Sequence, residues 1–256
     1  MARVFITGSA DGLGQLAARQ LVQDGHRVVL HARSRRRADE ALAAVPGAAD
    51  AVVGDLSVLA ETAEVAAQIG KLGEFDAVIH NAAIGYQVRR RTETGDGLEH
   101  VFAVNTVAPY LLTALIAPPK RLVYLSSGMH HQGDGTLDDL QWTRRRWSGA
   151  QAYSDSKLHD VILAFAVARL WPDTKSNAVD PGWVATRMGG RGAPDDFDQG
   201  AATQAWLAAG DDPATAVTGQ YFYHRTSRAA HPAASDHEVQ RRLLAECARI
   251  TGVPLS

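Results

Sequence analysis

The stretch that decides the fold is Arg3-Val4-Phe5-Ile6-Thr7-Gly8-Ser9-Ala10-Asp11-Gly12-Leu13-Gly14. Its first half is β-branched and aromatic, as is typical of a buried parallel strand, and it leads directly into three glycines. Glycines let the backbone turn sharply and approach a pyrophosphate, while the amino terminus of a following helix offers free N–H groups. The spacing is not G-x-G-x-x-G, so a tight strand-to-helix turn remains an alternative. The position after the first strand favours a nucleotide site.

The chain beyond this stretch alternates short apolar runs with helical patterns. Leu13, Leu16, Ala17 and Leu21 recur at helical spacing, and Gly25 then ends the helix before the next apolar run. Alternation of this kind predicts an α/β fold with a doubly wound parallel sheet of about seven strands and helices on both faces, with ligands beyond the carboxyl ends of the strands. The remaining strands are predicted near 27–31, 51–53, 77–80, 121–125, 176–179 and 219–223.

Bulk composition indicates one globular domain over 1–256 that handles a small molecule. A net charge of −2 gives no electrostatic case for nucleic acid or for an anionic membrane. Cys247 is the only cysteine, which excludes an intrachain disulfide and fits a cytoplasmic location. The apolar run near the amino terminus is too short for a signal peptide or a membrane span. Gly133–Gly149 and Met188–Asp198 are irregular, and we expect a substrate lid near 188–198.

Six further motifs follow the glycine stretch in a recognisable order. Together they resemble the short-chain dehydrogenase/reductase family, whose fingerprints run from residue 7 to 186 here. His80 replaces the first Asn of the family's Asn-Asn-Ala-Gly motif. The long stretch between Ser127 and Tyr153, and the ending 245–255, resemble the retinol-dehydrogenase-like branch. The motifs are Asp55-Leu56, His80-Asn81-Ala82-Ala83-Ile84-Gly85, Val104-Asn105-Thr106, Leu125-Ser126-Ser127, Tyr153-Ser154-Asp155-Ser156-Lys157 and Asp180-Pro181-Gly182-Trp183-Val184-Ala185-Thr186.

The resemblance implies a nicotinamide-dependent oxidoreductase that acts on a carbonyl or alcohol carbon of a small, apolar substrate. It implies that Asn105, Ser127, Tyr153 and Lys157 are catalytic, with Lys157 also binding the nicotinamide ribose. Asn105 is expected to hold a water that links Lys157 to solvent, although a capping role is the alternative. The implied cofactor-binding residues are Gly8, Ser9, Asp11, Gly12, Leu13, Gly14, Arg33, Asp55, Leu56, Asn81, Ala82, Ala83, Tyr153, Lys157, Pro181, Gly182, Val184 and Thr186.

The spacing of Tyr153 and Lys157 also supports an acid–base role on physical grounds. They are four residues apart in a helical pattern, so their side chains project from the same face, although such a pair alone is common on solvated helices. A neighbouring cation favours tyrosinate and would lower the phenol's pKa from about 10 toward neutrality. Tyr153 would then be the general acid in reduction and the general base in oxidation. Ser127 would bind the substrate oxygen, and Ser126 would support the strand end.

The end of the second strand bears on cofactor choice. Family members that use NAD have an acidic residue there, which accepts the adenosine ribose hydroxyls. This chain has Ala32 at that position and Arg33 next to it, which favours NADP(H) over NAD. We interpret Arg35–Arg37 as the solvated start of the next helix, and the Arg144–Arg146 run as solvent-facing.

No metal site is predicted, because adjacent His130 and His131 are poorly placed to grip one ion and no H-E-x-x-H motif occurs. The two histidines are candidates for the substrate entrance. Large apolar side chains near the motifs are candidates for a substrate wall, with core packing as the alternative. They are Met129, Trp142, Trp147, Trp183 and Met188.

Two other functions compete with the oxidoreductase. A non-catalytic NADP-sensing regulator would usually lack the Tyr-x-x-x-Lys pair, which this chain has. A sugar-nucleotide epimerase or dehydratase would need a second substrate domain, for which the stretch after Thr186 leaves little room. The sequence leaves the monomer and the homodimer equally open, since Pro118-Pro119 shortens the helix that family members use for association.

Overall fold

The computed structural model describes residues 1–190 and 192–255, which form an α/β fold around one sheet. The described residues contribute eight strands in the order β3-β2-β1-β4-β5-β6-β7-β8. Strands β1 to β7 pair in parallel, which confirms the predicted doubly wound sheet, and β8 is antiparallel to β7. The strands are β1 Arg3–Ile6, β2 Arg27–Ala32, β3 Asp50–Val53, β4 Ala77–His80, β5 Arg121–Leu125, β6 Lys175–Asp180, β7 Tyr221–Tyr223 and β8 Thr226–Arg228.

Helices cover both faces of this sheet. A π-helical segment, Ala103–Val107, separates α4 from α5, and short 3₁₀ segments lie at Gly128–Gln132, Pro213–Thr215 and Pro232–Ser235. The helices are α1 Gly12–Gln23, α2 Arg35–Ala44, α3 Leu59–Leu72, α4 His100–Phe102, α5 Ala108–Leu115, α6 Gly149–Leu170, α7 Phe197–Ala209 and α8 His237–Thr251.

Alternate side chains of β1 show how the two faces are filled. Val4 and Ile6 belong to an apolar cluster that includes residues of α1, α2 and α7. Phe5, between them, belongs to the opposite cluster, which includes residues of α3, α5, α6 and α8. Because both faces are buried, the central strands read as continuous apolar runs, and this made them visible in the sequence.

The eighth strand was missed because its turn has no sequence signature. His224 and Arg225 have φ values of +48° and +61°, the left-handed region that hairpin turns usually fill with Asn or Gly. Thr226–Arg228 is exposed and has no buried face to produce an alternating pattern. The prediction of about seven strands was therefore short by one edge strand.

The stretch between Ser127 and α6 is anchored by an arginine. Arg145 forms ion pairs with Asp134 at 3.2 Å and with Asp155 of α6 at 2.9 Å. Its guanidinium lies 3.9 Å from the centre of the Trp142 ring. The prediction that the Arg144–Arg146 run faces solvent is thus wrong for Arg145, which is half-buried because carboxylates converge on it.

The carboxyl-terminal helix lies against α6. Leu243 and Cys247 of α8 are fully buried, and Arg169 of α6 donates to the side chain of Gln240 at 3.1 Å. Tyr110 of α5 donates to the backbone oxygen of Val253 at 2.8 Å. This region therefore covers part of the outer surface of α5 and α6. In residues 1–190 and 192–255 we find no helix with the length and hydropathy needed to cross a membrane.

Candidate active site

The motifs found in the sequence meet along one edge of the sheet. Strands β1, β4, β5 and β6 are neighbours and run parallel, so their carboxyl ends lie side by side. The glycine loop follows β1, Asn81 follows β4, Ser127 follows β5, and Pro181 follows β6. Residues far apart in the chain are thereby placed around one site, as expected for a sheet of this kind.

The glycine loop fits a pyrophosphate group. Gly8 and Gly12 have φ values of +61° and +57°, which other residues adopt only with strain. A side chain on Gly14 would overlap the Asn81 side chain, so this close approach requires glycine. The side chain of Asp11 does not cap α1, which leaves the first amides of the helix open toward an anion.

His31 supports this loop and was missed in the sequence. Its Nδ1 accepts a hydrogen bond from the Gly8 amide at 2.9 Å, and its own amide donates to Ser9 Oγ at 2.8 Å. Nδ1 is therefore an acceptor, and Nε2 donates to the Gly54 carbonyl at 2.9 Å. Burial lowers the pKa of His31 to about 4 and so favours this neutral form. A histidine inside an apolar strand was the only available signal.

The segment after β4 is tied to the glycine loop through Thr7. Thr7 Oγ1 accepts from the amides of Asn81 at 2.9 Å and of Ala82 at 3.0 Å. The Asn81 side chain donates to the Thr7 carbonyl at 2.9 Å. His80 is buried and bonds through Nε2 to Thr113 of α5 at 3.0 Å, so the residue that departs from the family motif contacts α5.

Ser127, Tyr153 and Lys157 come together at the end of β5. Lys157 Nζ lies 5.7 Å from the centre of the Tyr153 ring. Ser127 is the residue before the 3₁₀ segment, and its hydroxyl accepts from the Met129 amide at 3.2 Å. The neighbouring Ser126 is buried and donates to the Lys157 carbonyl at 2.8 Å, so it fixes α6 to the strand.

The electrostatics of Tyr153 differ from the sequence-based prediction. Burial raises the pKa of this phenol, whereas the Lys157 charge and the Ser127 side chain lower it. The net direction is upward, because Tyr153 is only 6% exposed and tyrosinate loses its hydration there. The prediction considered the cation and left out burial, which a sequence does not reveal.

Lys157 is held on two sides. Its Nζ donates to the Leu125 carbonyl at 2.7 Å and to Asp160 Oδ2 at 2.8 Å. Burial alone would lower the pKa of Lys157, but Asp160 and Tyr153 beside it raise the value. Lys157 is therefore a cation in this site.

Asn105 lies in the π-helical segment and connects two walls of the site. Its Oδ1 accepts from the Ile84 amide at 2.7 Å, while its Nδ2 donates to the Ile84 carbonyl at 2.9 Å. Nδ2 also donates to Ser156 Oγ on α6 at 3.0 Å. Asn105 thus joins the loop after β4 to the helix that carries Tyr153 and Lys157.

The segment after β6 lies opposite the glycine loop, and the two form the walls of a groove. Asp180 Oδ1 accepts from the Gly182 amide at 2.9 Å, and Gly182 has a φ of +84°. Val184 is buried, and Thr186 Oγ1 accepts from the Gly189 amide at 3.1 Å. The Thr186 methyl would lie 3.9 Å from a Cβ placed on Gly12, so this segment and the glycine loop face each other.

The ends of β2 and β3 and the start of α2 lie beside the glycine loop. Arg33 is exposed at the end of β2, and Leu56 is buried beside the half-buried Asp55. Arg37, in the first turn of α2, forms an ion pair with Asp11 of the glycine loop at 2.7 Å. Helix α2 begins at Arg35 as predicted, with Arg35 and Arg36 exposed, but the prediction of a solvated start is wrong for Arg37, which is half-buried because it pairs with Asp11 and Glu40.

The histidines and large apolar side chains that the sequence singled out differ in burial. Some pack in the interior, and others are exposed near the candidate site. His130 is buried and bonds through Nδ1 to the Ser127 carbonyl at 2.8 Å, and the His131 ring lies 3.9 Å from it, tilted by 40°. Trp142 is buried, and Trp147 donates to the Val88 carbonyl at 3.1 Å. Trp183 is 54% exposed.

Tyr86 lies beside Tyr153, and Met188 packs on the neighbouring Gly85. Met188 packs so closely on Gly85 that a Cβ there would lie 2.5 Å from its Cγ, and the Tyr86 ring lies 5.9 Å from that of Tyr153. Within the described part of the chain, no group of three or more histidine, cysteine or acidic side chains is arranged to hold a metal ion.

Comparison with known proteins decides the family. The model of the short chain dehydrogenases matches residues 2–196. The chain belongs to the short-chain dehydrogenase family. It is therefore an oxidoreductase of a family that uses nicotinamide cofactors, as the motifs predicted.

Individual relatives agree with this assignment. The chain is 42% identical to short-chain dehydrogenase chry4 of Gibberella zeae, over 100% of this chain and 99% of that protein. It is 46% identical to uncharacterized oxidoreductase AN7799 of Emericella nidulans, over 99% and 98%. Human retinol dehydrogenase 13 is 30% identical over 98% of this chain and 84% of its own length, which confirms the resemblance to that branch.

A solved structure supports the fold. A putative uncharacterized protein from Mycobacterium paratuberculosis superposes with a TM-score of 0.86 at 26% identity. The match covers 100% of this chain and 95% of the other. The architecture described above is thus shared over the whole chain.

Proposed function

We propose that this short-chain dehydrogenase transfers a hydride between NADP(H) and the carbonyl or alcohol carbon of a small, apolar substrate. The observation that carries the proposal is the meeting of Ser127, Tyr153 and Lys157 at the end of β5, beside the groove between the glycine loop and the segment after β6. An acid, a hydrogen-bond donor and a cation are thereby available at one place.

In reduction, Tyr153 gives its phenolic proton to the substrate oxygen. The high pKa of this buried phenol keeps it protonated at neutral pH, which suits an acid. Ser127 donates a hydrogen bond to the same oxygen as negative charge develops on it. NADPH, when bound, supplies the hydride. In oxidation, the deprotonated form of Tyr153 accepts the proton from the alcohol, and NADP⁺, when bound, would take up the hydride.

Lys157 and Asn105 organise the proton path in this proposal. Lys157 keeps its charge beside Tyr153 and so favours tyrosinate once the proton has left. One of its three N–H groups remains for the ribose of the cofactor, since Leu125 and Asp160 take the other two. Asn105 sits between the loop after β4 and α6, where it would hold a water next to Lys157.

The chain's residues fit the rest of the cofactor. Gly8, Ser9, Asp11, Gly12, Leu13 and Gly14 would surround the pyrophosphate together with Thr186. Asp55 and Leu56 would contact adenine. Asn81, Ala82, Ala83, Pro181, Gly182 and Val184 would line the nicotinamide side.

Charge at the adenosine end supports NADP(H) over NAD. Ala32 offers no carboxylate to the ribose hydroxyls, whereas Arg33 is exposed and free to meet a phosphate. Arg37 stands nearby across the glycine loop. A 2′-phosphate would meet the Arg33 guanidinium, whereas Arg37 is already paired with Asp11 and Glu40.

The substrate side is apolar and carries the proposed lid near 188–198. Tyr86 and Met188 lie against the site, and Trp183 donates to the Gly189 carbonyl at 2.8 Å. We propose that this segment closes over the substrate. Arg191, within the same stretch, lies outside the described residues.

The alternatives have weaker support. A regulator that only senses NADP would not need the assembled Ser127, Tyr153 and Lys157. An epimerase or dehydratase is not favoured, because the chain matches the short chain dehydrogenases and relatives named dehydrogenase or oxidoreductase. A cytoplasmic location remains our proposal and rests on the single, buried Cys247.

The test is the absorbance of NADPH with a panel of aldehydes and ketones of increasing apolar size. We expect consumption of NADPH with several members of the panel, and abolition of that activity in Tyr153→Phe. NADPH binding without turnover of any carbonyl would favour the regulator.

A further inference from the structure

Asp160 forms an ion pair inside the protein with the lysine of the active site. Its Oδ2 lies 2.8 Å from Lys157 Nζ, and the two side chains are only 4% and 3% exposed. The residues are three apart on α6, so both project from one face of the helix. None of the family motifs includes Asp160, and the mechanism above does not use it.

Burying a carboxylate is costly unless a partner compensates for its lost hydration. Lys157 is the ionic partner of Asp160 here, and burial still raises the pKa of Asp160 to about 6. Lys157 in turn has its amine fixed between Asp160 and the Leu125 carbonyl. The ion pair therefore restrains the position of the Lys157 amine. The Asp160 carboxylate itself is less stable than in water, because Lys157 does not fully compensate for its burial.

The groups around the pair come from several elements. Tyr124 of β5 is buried next to Asp160, and its hydroxyl bonds with Thr113 of α5 at 2.8 Å. Thr113 also bonds with His80 of β4. Asp180 of β6, whose charge raises the pKa of Tyr153, accepts from Tyr221 of β7 at 3.1 Å. Tyr153 and Lys157, on the helix itself, both interact with the Asp160 charge.

We propose that Asp160 is a positioning residue for catalysis, whose carboxylate holds the Lys157 amine between Leu125 and Tyr153 and offsets part of its charge. This inference rests on the proposed function, because it concerns how Tyr153 exchanges its proton. Asp160 contacts neither substrate nor the reacting atoms; it acts through the Lys157 amine that it holds and through its own charge near Tyr153.

The consequence for Tyr153 has a definite sign. The Asp160 charge raises the pKa of Tyr153 and opposes the Lys157 charge, which lowers it. Removing the negative charge while Lys157 stays protonated should therefore lower the pKa of Tyr153. For a unit charge within about 10 Å in a protein interior, the shift is about one pH unit.

Asp160→Asn is the direct test, with Asp155→Asn as its matched control. Asp155 is another buried aspartate of α6, but its partner is Arg145 and not Lys157. The ultraviolet absorbance of tyrosinate is titrated in each protein, and the titration of the same protein carrying Tyr153→Phe is subtracted. We expect the Tyr153 transition about one pH unit lower in Asp160→Asn and unchanged in Asp155→Asn.

Two more variants keep the test decisive. Asp160→Glu retains the charge and should leave the transition near its wild-type pH, while Asp160→Ser is a second neutral variant if the asparagine does not fold. An unshifted transition in a folded neutral variant, or an equal shift in Asp155→Asn, would overturn the proposal. The titration needs no substrate, so a wild-type protein without turnover would contradict the proposed function and not this inference.

For an active enzyme, the pH dependence of alcohol oxidation adds a second readout. The rising limb, which follows loss of the Tyr153 proton, should move to lower pH by the same amount in Asp160→Asn. A purely structural role would lower the rate at every pH and leave the limb in place, and this result would contradict the proposal.

Discussion

Replacing His80 with leucine tests how much acid sensitivity comes from one buried imidazole. His80 is 5% exposed, and burial lowers its pKa to about 3. Its Nε2 bonds with Thr113, but its Nδ1 is buried with no hydrogen-bond partner among the described residues. The folded protein thus accommodates only the neutral ring.

The size of the effect on the free energy of unfolding follows from the difference in the pKa of His80 between the folded and the unfolded chain. An unfolded histidine has a pKa of about 6.5, so below that pH the unfolded state binds a proton that His80 does not bind in the folded protein. The contribution to stability is fully present above pH 6.5 and is lost as pH falls toward the folded value. At pH 5, about 1.5 pH units below the unfolded pKa, the loss is about 2 kcal/mol.

His80→Leu removes this titration with little change of volume. Thr113 keeps its hydrogen bond to the Pro109 carbonyl at 2.8 Å and its contact with Tyr124. The free energy of unfolding is measured by urea denaturation at pH 7 and pH 5. Its decrease between the two should be about 2 kcal/mol smaller in the variant than in the wild type.

The other buried histidines remain in both proteins, so their contributions cancel in this comparison. The exposed His237 on α8 supplies the control, His237→Asn, which should show the wild-type decrease. An identical pH 7 to pH 5 decrease in His80→Leu and wild type would refute the reasoning.

Three further expectations concern the cofactor, the lid and the assembly. Arg33→Ala should weaken NADPH binding by about 10-fold to 150-fold and leave NADH binding unchanged, because one charge-assisted contact is lost; an equal loss for both cofactors in fluorescence titrations would argue against it. Hydrogen exchange in 188–198 should slow when NADPH and a substrate analogue bind together, and an unchanged exchange rate would contradict the proposal that this segment is a lid. Light scattering should give a mass near that of one 27.4 kDa chain, because α8 covers α6, and a tight tetramer at micromolar concentration would contradict this.

The sequence predicted most of the fold because its strands are buried on both faces. Apolar runs such as Arg121–Leu125 needed no tertiary information, and the parallel order then placed their ends together. Strand β8 escaped because it is exposed and its turn uses His224 and Arg225 in place of glycine or asparagine.

The site was predictable where its residues form local motifs, as Tyr153 and Lys157 do. The supporting residues were not, because their partners are distant in the chain. His31 is recognisable only through Gly8 and Gly54. Asp160 looked like any helical aspartate until its burial beside Lys157 was visible.

Burial also reverses an electrostatic expectation. From the sequence, the cation of Lys157 suggested a lowered pKa for Tyr153, whereas desolvation of the phenol dominates in the folded chain. Arg145 shows the same limit of sequence-based prediction. The arginine run around it has the pattern of a solvated segment, but Arg145 is half-buried because it pairs with Asp134 and Asp155.

Single-turnover hydride transfer by Tyr153→Phe tests the central claim most directly. The substitution keeps the ring and its packing but removes the proton that Tyr153 gives to the substrate oxygen. With NADPH and an active carbonyl substrate, the rate should fall by about 10²-fold to 10⁴-fold, while NADPH affinity measured by fluorescence stays near the wild-type value. A Tyr153→Phe protein that transfers hydride at close to the wild-type rate would contradict the account.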